Sequence, residues 1–370
     1  MSDEHKSSRK KNMTDNKNTS NQRGSNNTTS KKRKKKKKKK SLFLKVGISI
    51  LFILLLCIAA VGTVFIRSLD SMQKVELDSS NLGIADSDEL VKYDQFTKIK
   101  NIILFGVDSE EGNDSGRSDA MLLLTIDPIH NKIKVTSFMR DCRVFIPSYN
   151  YKDKLTHAYA YGGPELAIRT LNENFGLNID DFVTVDFSTL PKVIDLIGGV
   201  DIDVTEDDLE TTNNVITSSN YELKKDVQLI NNAGIQTLTG GQVLAYARNR
   251  SSNSGDFDRT ERQRKVLDAL FKSALSTSIT KYPSILNTIM PYITTSMSTK
   301  DILSTAYNVV NIGGGNLEQS RFPTDANSWG DYAEDPFGTE LWYLFFDEDE
   351  TKKEVQDYIF DDKSPDEFSN

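Results

Sequence analysis

Residues 247–264 read ARNRSSNSGDFDRTERQR, which puts Arg248, Arg250, Arg259, Arg262 and Arg264 within 18 positions of a chain whose net charge is -7. A guanidinium stays charged at neutral pH and offers a planar fork of donors that matches phosphate oxygens. The acids among them are Asp256, Asp258 and Glu261. Internal ion pairing is the plain use for such arginines. Five cations exceed three anions, however, and the surplus points to a polyanionic ligand, phosphate being the natural match for the guanidinium fork. Helical phase sorts the second half. At about 100° per residue, Val266, Leu267, Leu270 and Ala274 define one apolar face. Arg259 and Gln263 fall on that face, Arg262 at its edge, and Glu261, Lys265, Asp268 and Lys272 opposite. Arginine on a buried face is costly unless paired, and the first turn of a helix favours anions. Arg248, Arg250, Arg259 and Arg262 are the candidate polyanion ligands, Gln263 shares the inward face of Arg259, and Arg264 sits at the far flank.

Two aspartates form a second constellation. Asp108 ends the apolar run KNIILFGVD, and Asp119 lies in GRSDA, which leads into AMLLLTIDP. If the two runs are neighbouring strands, both carboxylates meet at one sheet edge. Mg²⁺ takes one or two protein carboxylates and completes its shell with water and phosphate oxygens, so the pair is a candidate Mg²⁺ site, with Mn²⁺ as substitute. Turn chemistry is the alternative reading of aspartates at strand ends. Arg117 beside them is a further phosphate candidate. The third constellation is MRDCRVFIP with Arg140 and Asp141, followed by Lys154 and His157 in KLTHAYAYGG. Three histidines in the whole chain make a histidine zinc site a poor fit. There is no Gly-x-Ser-x-Gly elbow, P-loop or Gly-x-Gly-x-x-Gly.

The elements that must position these groups follow from periodicity. KNIILFGVD, AMLLLTIDP and KIKVTSF read as strands, the last two joined as a hairpin through the turn residues DPIHN. Pro164 opens a helix closed by Gly176. DFVTVDF and VDIDV read as strands around a short helix ending at Gly198 and Gly199. Residues 206–235 are polar and read as a surface excursion. GGQVLAYAR is a helix, and Asp258-Arg-Thr-Glu261 reads as a capping box for a long one ending near Thr277. Helical patterns follow over 283–292 and 299–311, and LWYLFF reads as a final strand. Strands alternating with helices, with a hairpin among them, give an α/β fold with a mixed sheet.

Charge divides the chain. Residues 1–45 hold 17 Lys and Arg against 3 acids, including KKRKKKKKKK, and cannot build a core. Residues 46–66 are 21 uncharged, mostly apolar positions, about 31 Å as a helix, enough to span a bilayer. A cleaved signal peptide would have a shorter apolar stretch and a small-residue cleavage site. The positive-inside rule puts the lysine tail in the cytoplasm and the rest outside the cell. The lysines then fix orientation and meet anionic headgroups, and a nucleic-acid role for them would require the apolar run not to span. The expected organisation is a basic cytoplasmic tail (1–45), a transmembrane helix (46–67), a stalk (68–95), a catalytic domain (96–361) and an acidic tail (362–370). Of two cysteines, Cys57 lies in the span and Cys142 outside it, so no internal disulfide is expected.

In this order, NIILFGVDS, GRSDAMLLLTIDP, SFMRDCRVFIP, DKLTHAYAYGG, VTVDF, LIGGVDIDV, LTGGQVLAYARNR and DFDRTERQR resemble the LytR-CpsA-Psr family of Gram-positive cell-envelope proteins. The resemblance implies a three-layer α/β/α domain outside the membrane. It implies transfer of an anionic glycopolymer, such as teichoic acid or capsule, from an undecaprenyl-pyrophosphate carrier to peptidoglycan. The bond formed is a phosphodiester on a muramic acid 6-hydroxyl. It implies metal ligation by Asp108 and Asp119 and pyrophosphate binding by Arg117, Arg140, Arg248, Arg250, Arg259 and Arg262. Gln263 lies beside them. Arg140 falls where acceptor activation is implicated, while Asp141 and Lys154 match motif positions. An apolar cavity for the polyprenyl chain is also implied. Glu110 stands where the family often has Arg, and Cys142 where Thr is common. A non-catalytic polyprenyl-pyrophosphate-binding regulator of envelope assembly is the alternative function; it would tolerate loss of the aspartates in part.

Overall fold

The computed structural model describes residues 66–365, apart from 86, 94–95, 108–115, 187–188, 224–225, 250–255, 279–280 and 313–316. Asp108, Arg250, the basic tail and residues 46–65 of the expected membrane span lie outside them. Among the described residues no helix is long and apolar enough to cross a membrane.

A seven-stranded mixed sheet is the scaffold. Its strands are β1 (Gln73–Lys74), β2 (Lys100–Val107), β3 (Ser118–Asp127), β4 (Lys132–Phe138), β7 (Asp181–Asp186), β10 (Ile293–Thr295) and β11 (Glu318–Phe322), in the spatial order β1-β10-β7-β2-β3-β4-β11. β2 pairs antiparallel with β3 and parallel with β7, and β3–β4 is the expected hairpin. The remaining strands form three two-stranded ribbons: β5 (Arg143–Ile146) with β6 (Tyr151–Lys154), β8 (Val200–Val204) with β9 (Gly234–Leu238), and β12 (Ser328–Glu334) with β13 (Glu340–Phe346). Among the described residues the longer helices are α1 (Leu155–Phe175), α2 (Leu190–Ile197), α3 (Glu206–Leu223), α4 (Gly240–Arg248), α5 (Asp256–Ser276), α6 (Tyr282–Ile289), α7 (Thr299–Asn311) and α8 (Glu348–Asp361).

The central strands are apolar at successive positions because both faces are covered. Ile103, Phe105, Met121, Leu123 and Phe138 pack on one side with Ile168, Leu171 and Phe175 of α1 and with Val355, Ile359 and Phe360 of α8. Ile102, Leu104, Leu122, Leu124 and Val135 face the other side, against Leu267 and Phe271 of α5 and Val309 of α7. A separate cluster joins β8 and β9 to α2, α3, α4 and α5 through Ile194, Ile202, Ile216, Leu238, Tyr246 and Val266.

Several elements differ from the sequence-based expectation. α1 begins nine residues before Pro164 and bends at Gly162 and Gly163, whose backbone is non-helical. α5 begins at Asp256, so Asp258 is inside its first turn and not at the cap, and Ala274 near its end is exposed. The polar stretch 206–235 contains α3, with Asp208, Thr212 and Ile216 turned inward at intervals of four. Residues 68–95 are no free stalk. β1 joins the sheet, and Leu82, Leu90 and Tyr93 are in the main core. At the other end, Asp362 accepts from the fully buried Lys134 at 2.8 Å and from Lys132 at 2.7 Å, which fastens the start of the expected acidic tail.

Candidate active site

Because β3 runs against β2 and β4, its first residues lie at the same sheet edge as the ends of those two strands. The register pairs Val107 with Ser118 and Leu122 with Ser137. Asp119 at the start of β3 therefore meets Arg140, which follows β4, and Arg140 Nη1 donates to Asp119 Oδ1 at 2.6 Å. Arg140 Nε lies 3.3 Å from Asp141 Oδ2, and Lys154 Nζ donates to Asp141 Oδ1 at 2.6 Å. The result is a row of alternating charge, Asp119–Arg140–Asp141–Lys154. Asp141 is 6% exposed, whereas Arg140 and Asp119 keep about a fifth of their side-chain surface open. Near-contact charges in such a partly dry site interact more strongly than surface pairs.

Backbone bonds fix the turn that carries Arg140 and Asp141. Met139 N donates to Phe322 O, Cys142 N to Met139 O, Leu344 N to Asp141 O, and Thr156 N to Arg140 O. Cys142 is buried, and its backbone forms an isolated parallel β-bridge with Leu344. Under Lys154 lies Asp153, 1% exposed. Its carboxylate accepts from His157 Nδ1 at 2.8 Å, Tyr161 OH at 2.7 Å, Tyr343 OH at 3.0 Å and Lys154 N at 2.8 Å. Burial opposes its charge, but these donors, led by His157 and Tyr161, prevail and bring its pKa down to about 2. Burial, and then the hydrogen bond to this same carboxylate, push the phenols of Tyr161 and Tyr343 far above their ordinary range.

α5 reaches the row from above. Arg259 is 2% exposed and its Nη2 donates to Asp119 O at 3.3 Å. Thr260 Oγ1 lies 3.5 Å from Met139 Sδ. One turn on, Gln263 lines an apolar cavity of about 250 Å³ together with Leu104, Ala120, Leu122, Ala247 and Val266. The cavity therefore begins next to Asp119 and runs between the sheet and helices α2, α4, α5 and α6.

The other expected ligands are placed as follows. Arg117 is exposed just before β3. Arg248 ends α4 and lines a second cavity of about 310 Å³ with Lys192 and Asp195, whereas its neighbour Ala247 lines the apolar one. Arg262, 5% exposed, donates through Nε to Asp208 Oδ1 at 2.7 Å and through Nη1 to Asn249 O at 3.0 Å. The acid that pairs with it thus comes from α3, and Glu261 pairs with Lys265 at 2.7 Å on the solvated face. Arg264 donates to Ser137 Oγ at 3.0 Å; burial, with Arg321 nearby, lowers its pKa to about 10. Sequence reasoning missed Asp208 and Asp153. The four-residue spacing of Asp208, Thr212 and Ile216 is a signal for the first. The four-residue spacing of Asp153, His157 and Tyr161 is a signal for the second, although its further partner Tyr343 lies 190 positions away.

Asp119 offers hard carboxylate oxygen at a partly open edge beside two guanidinium groups, a donor type that suits Mg²⁺ bound with phosphate. The second expected carboxylate, Asp108, lies outside the described residues.

A profile of the LytR_cpsA_psr family matches residues 66–356. The polyisoprenyl-teichoic acid–peptidoglycan teichoic acid transferase TagU of Bacillus cereus is 30% identical over 250 residues, covering 67% of this chain and 74% of its own length. The regulatory protein MsrR of Staphylococcus aureus is 30% identical over 281 residues, covering 74% of this chain and 80% of its own. Among solved structures, TagT bound to LI-WTA superposes with a TM-score of 0.57 at 25% identity, over 78% of this chain and 98% of its own. The protein YwtF (TagT) with bound octaprenyl pyrophosphate lipid gives 0.54 at 25% identity, over 78% and 98%.

Proposed function

The chain belongs to the LytR_cpsA_psr family, and from that premise we propose that it transfers an anionic cell-wall glycopolymer from an undecaprenyl-pyrophosphate-linked donor to peptidoglycan through a phosphodiester bond. One observation carries the reading: an apolar cavity opens directly beside a row of guanidinium and carboxylate groups. That juxtaposition matches an amphiphile with a long hydrocarbon tail and a polyanionic head. The names of the relatives, TagU as a teichoic acid transferase and TagT with octaprenyl pyrophosphate, support the same substrate class.

In this reading the tail lies against Leu104, Leu122 and Val266. The pyrophosphate meets Arg140 and Arg259, with Arg117 at the open side. An acceptor hydroxyl of peptidoglycan attacks the phosphorus that bears the polymer. A new C–O–P bond forms, the P–O–P anhydride breaks, and undecaprenyl phosphate leaves. Phosphoryl transfer needs chiefly alignment and neutralisation of charge on the non-bridging oxygens, which fixed guanidinium groups provide without reorganising. A guanidinium is a poor general base, since its ordinary pKa lies above about 12. Arg140 acts as orienter and electrostatic activator, held by Asp119 on one side and Asp141 on the other, while Lys154 keeps Asp141 in place. The departing hydroxyl proton passes to Asp141. Asp119, with Asp108 on sequence grounds, would hold Mg²⁺, which when bound supplies further neutralisation of pyrophosphate charge. The span at 46–67 would anchor the domain on the outer side of the membrane with the N-terminus cytoplasmic, where the lipid-linked donor and the wall are both within reach.

Transfer of a lipid-linked polymer to isolated sacculi tests the proposal. Arg140→Ala should lower turnover by about 10²-fold or more while octaprenyl pyrophosphate still binds. Unchanged turnover in that variant would sink the role given to Arg140, and absence of transfer by the unaltered chain would sink the reading itself.

A further inference from the structure

On the far side of Lys154 from Arg140, the surface is aromatic. Tyr149 and Tyr151, Tyr161 on α1 and Phe337 in the turn between β12 and β13 form one continuous cluster. Ring centroids are 4.9 Å apart for Tyr149–Tyr161, 5.6 Å for Tyr149–Tyr151 and 6.3 Å for Tyr151–Phe337. Phe337 is 74% exposed and Tyr149 43%. A contiguous set of open rings in a folded domain marks a contact site more often than chance exposure does.

The cluster is tied to the charged row. Tyr151 and Lys154 are the two ends of β6, about 10 Å apart at strand rise. Tyr161 donates its hydroxyl to Asp153, the residue before Lys154, and Tyr149 donates to Tyr161 O at 3.3 Å. The Tyr343 ring lies 5.7 Å from Lys154 Nζ. Its hydroxyl also goes to Asp153. One buried carboxylate thus holds both the platform and the lysine that steadies Asp141.

The two ends of this surface differ in character. The arginines suit a polyanion, but the platform offers ring faces and phenol hydroxyls with no guanidinium among them. Flat, amphipathic rings with polar edges suit pyranose rings, whose C–H faces are apolar and whose hydroxyls are equatorial. We propose that Tyr149, Tyr151, Tyr161 and Phe337 form the acceptor subsite, which holds a peptidoglycan glycan strand by stacking so that a sugar hydroxyl reaches Arg140. This inference rests on the transfer reading above and adds where the acceptor sits.

The test uses the full-length chain in detergent, with polymer-stripped sacculi as the acceptor probe and octaprenyl pyrophosphate as the donor probe. Replacing Tyr149→Ala and Phe337→Ala together should weaken co-sedimentation with sacculi and raise the acceptor KM, each by about tenfold, for the loss of two stacking contacts. Donor binding and donor KM should stay as in the unaltered chain. Tyr149→Phe keeps the ring and should bind sacculi normally, and Phe337→Ser, in an exposed turn, gives a second variant with little risk to folding. Unchanged sacculus binding and acceptor KM in the double variant overturn the subsite, as does transfer by a chain whose platform variants lose only a protein partner. A chain that binds sacculi through the platform yet transfers nothing would leave the subsite standing and overturn the transfer reading instead.

Discussion

Arg262 and Asp208 give the sharpest separation of structural from ligand-binding charge. Their contact is 2.7 Å, their side chains are 6% and 8% exposed, and the guanidinium also donates to Asn249 O. Asp208→Ala removes the anion and leaves a buried guanidinium with one backbone acceptor. Breaking a buried pair from one side costs about 3–5 kcal/mol. For a domain of this size that lowers Tm by on the order of 10 °C. Replacing both partners, Arg262→Met with Asp208→Leu, removes the uncompensated charge. The remaining loss is the hydrogen bond from Arg262 to the Asn249 carbonyl, about 1 kcal/mol, offset in part by apolar packing. The double variant should therefore melt well above Asp208→Ala. Thermal unfolding by circular dichroism reads the stability, and titration with octaprenyl pyrophosphate reads the donor site. If Arg262 serves the fold, the double variant regains stability and binds donor within about threefold of the parent. A double variant that melts normally but loses tenfold or more in donor affinity would refute the argument and put Arg262 in the clamp.

Other outcomes follow from the same geometry. Asp153 has a folded pKa near 2, below the ordinary 3.8, so its contribution is present above 3.8 and is lost as pH falls from there through about 2. The Tm difference between the parent and Asp153→Asn should be largest near neutral pH, corresponding to about 2 kcal/mol, and should shrink below pH 4. Lys134→Ala removes a fully buried ammonium that donates to Tyr358 O at 2.7 Å and faces Asp362 and Asp127. It should lower stability by about 3 kcal/mol and expose α8 to limited proteolysis before the rest of the domain. Ala247→Phe fills the apolar cavity. Binding of octaprenyl pyrophosphate should fall by tenfold or more while a short-chain prenyl pyrophosphate is little affected, and equal losses for both would argue against the tail site.

Legibility in the sequence followed the strength of local signals. The strands β2, β3, β4 and β7 were readable because buried central strands are near-continuous apolar runs bounded by turn residues. The β3–β4 hairpin was readable too, but its consequence, that the start of β3 meets the residues after β4, went unread, and Asp119 and Arg140 stood as separate constellations. α3 was not readable, because Thr, Asn and Ser dominate it and its helix propensity is low; tertiary contacts through Asp208, Thr212 and Ile216 hold it. β1 has two residues, and β5 and β6 four each, too short for any period to emerge. Helical phase placed Arg259 and Gln263 inward correctly, yet phase alone cannot name a partner on another helix, and so Asp208 went unread. The aromatic platform gathers Tyr149, Tyr151, Tyr161 and Phe337 from segments that no local pattern links.

The apolar cavity has two unlike walls. Leu104 and Leu122 belong to the sheet, and each sits between neighbours that pack the opposite face. Enlarging or trimming either one strains a strand locked by ladders on both sides. Leu190, Val193, Ala247, Leu270 and Ile289 come instead from four separate helices, where a side chain can change size without disturbing a strand ladder. Divergence in the length or saturation of the isoprenoid accommodated should therefore accumulate on the helical wall, while the sheet wall stays constant. Across relatives, the lipid preference of each lineage would be recorded in those few helix positions.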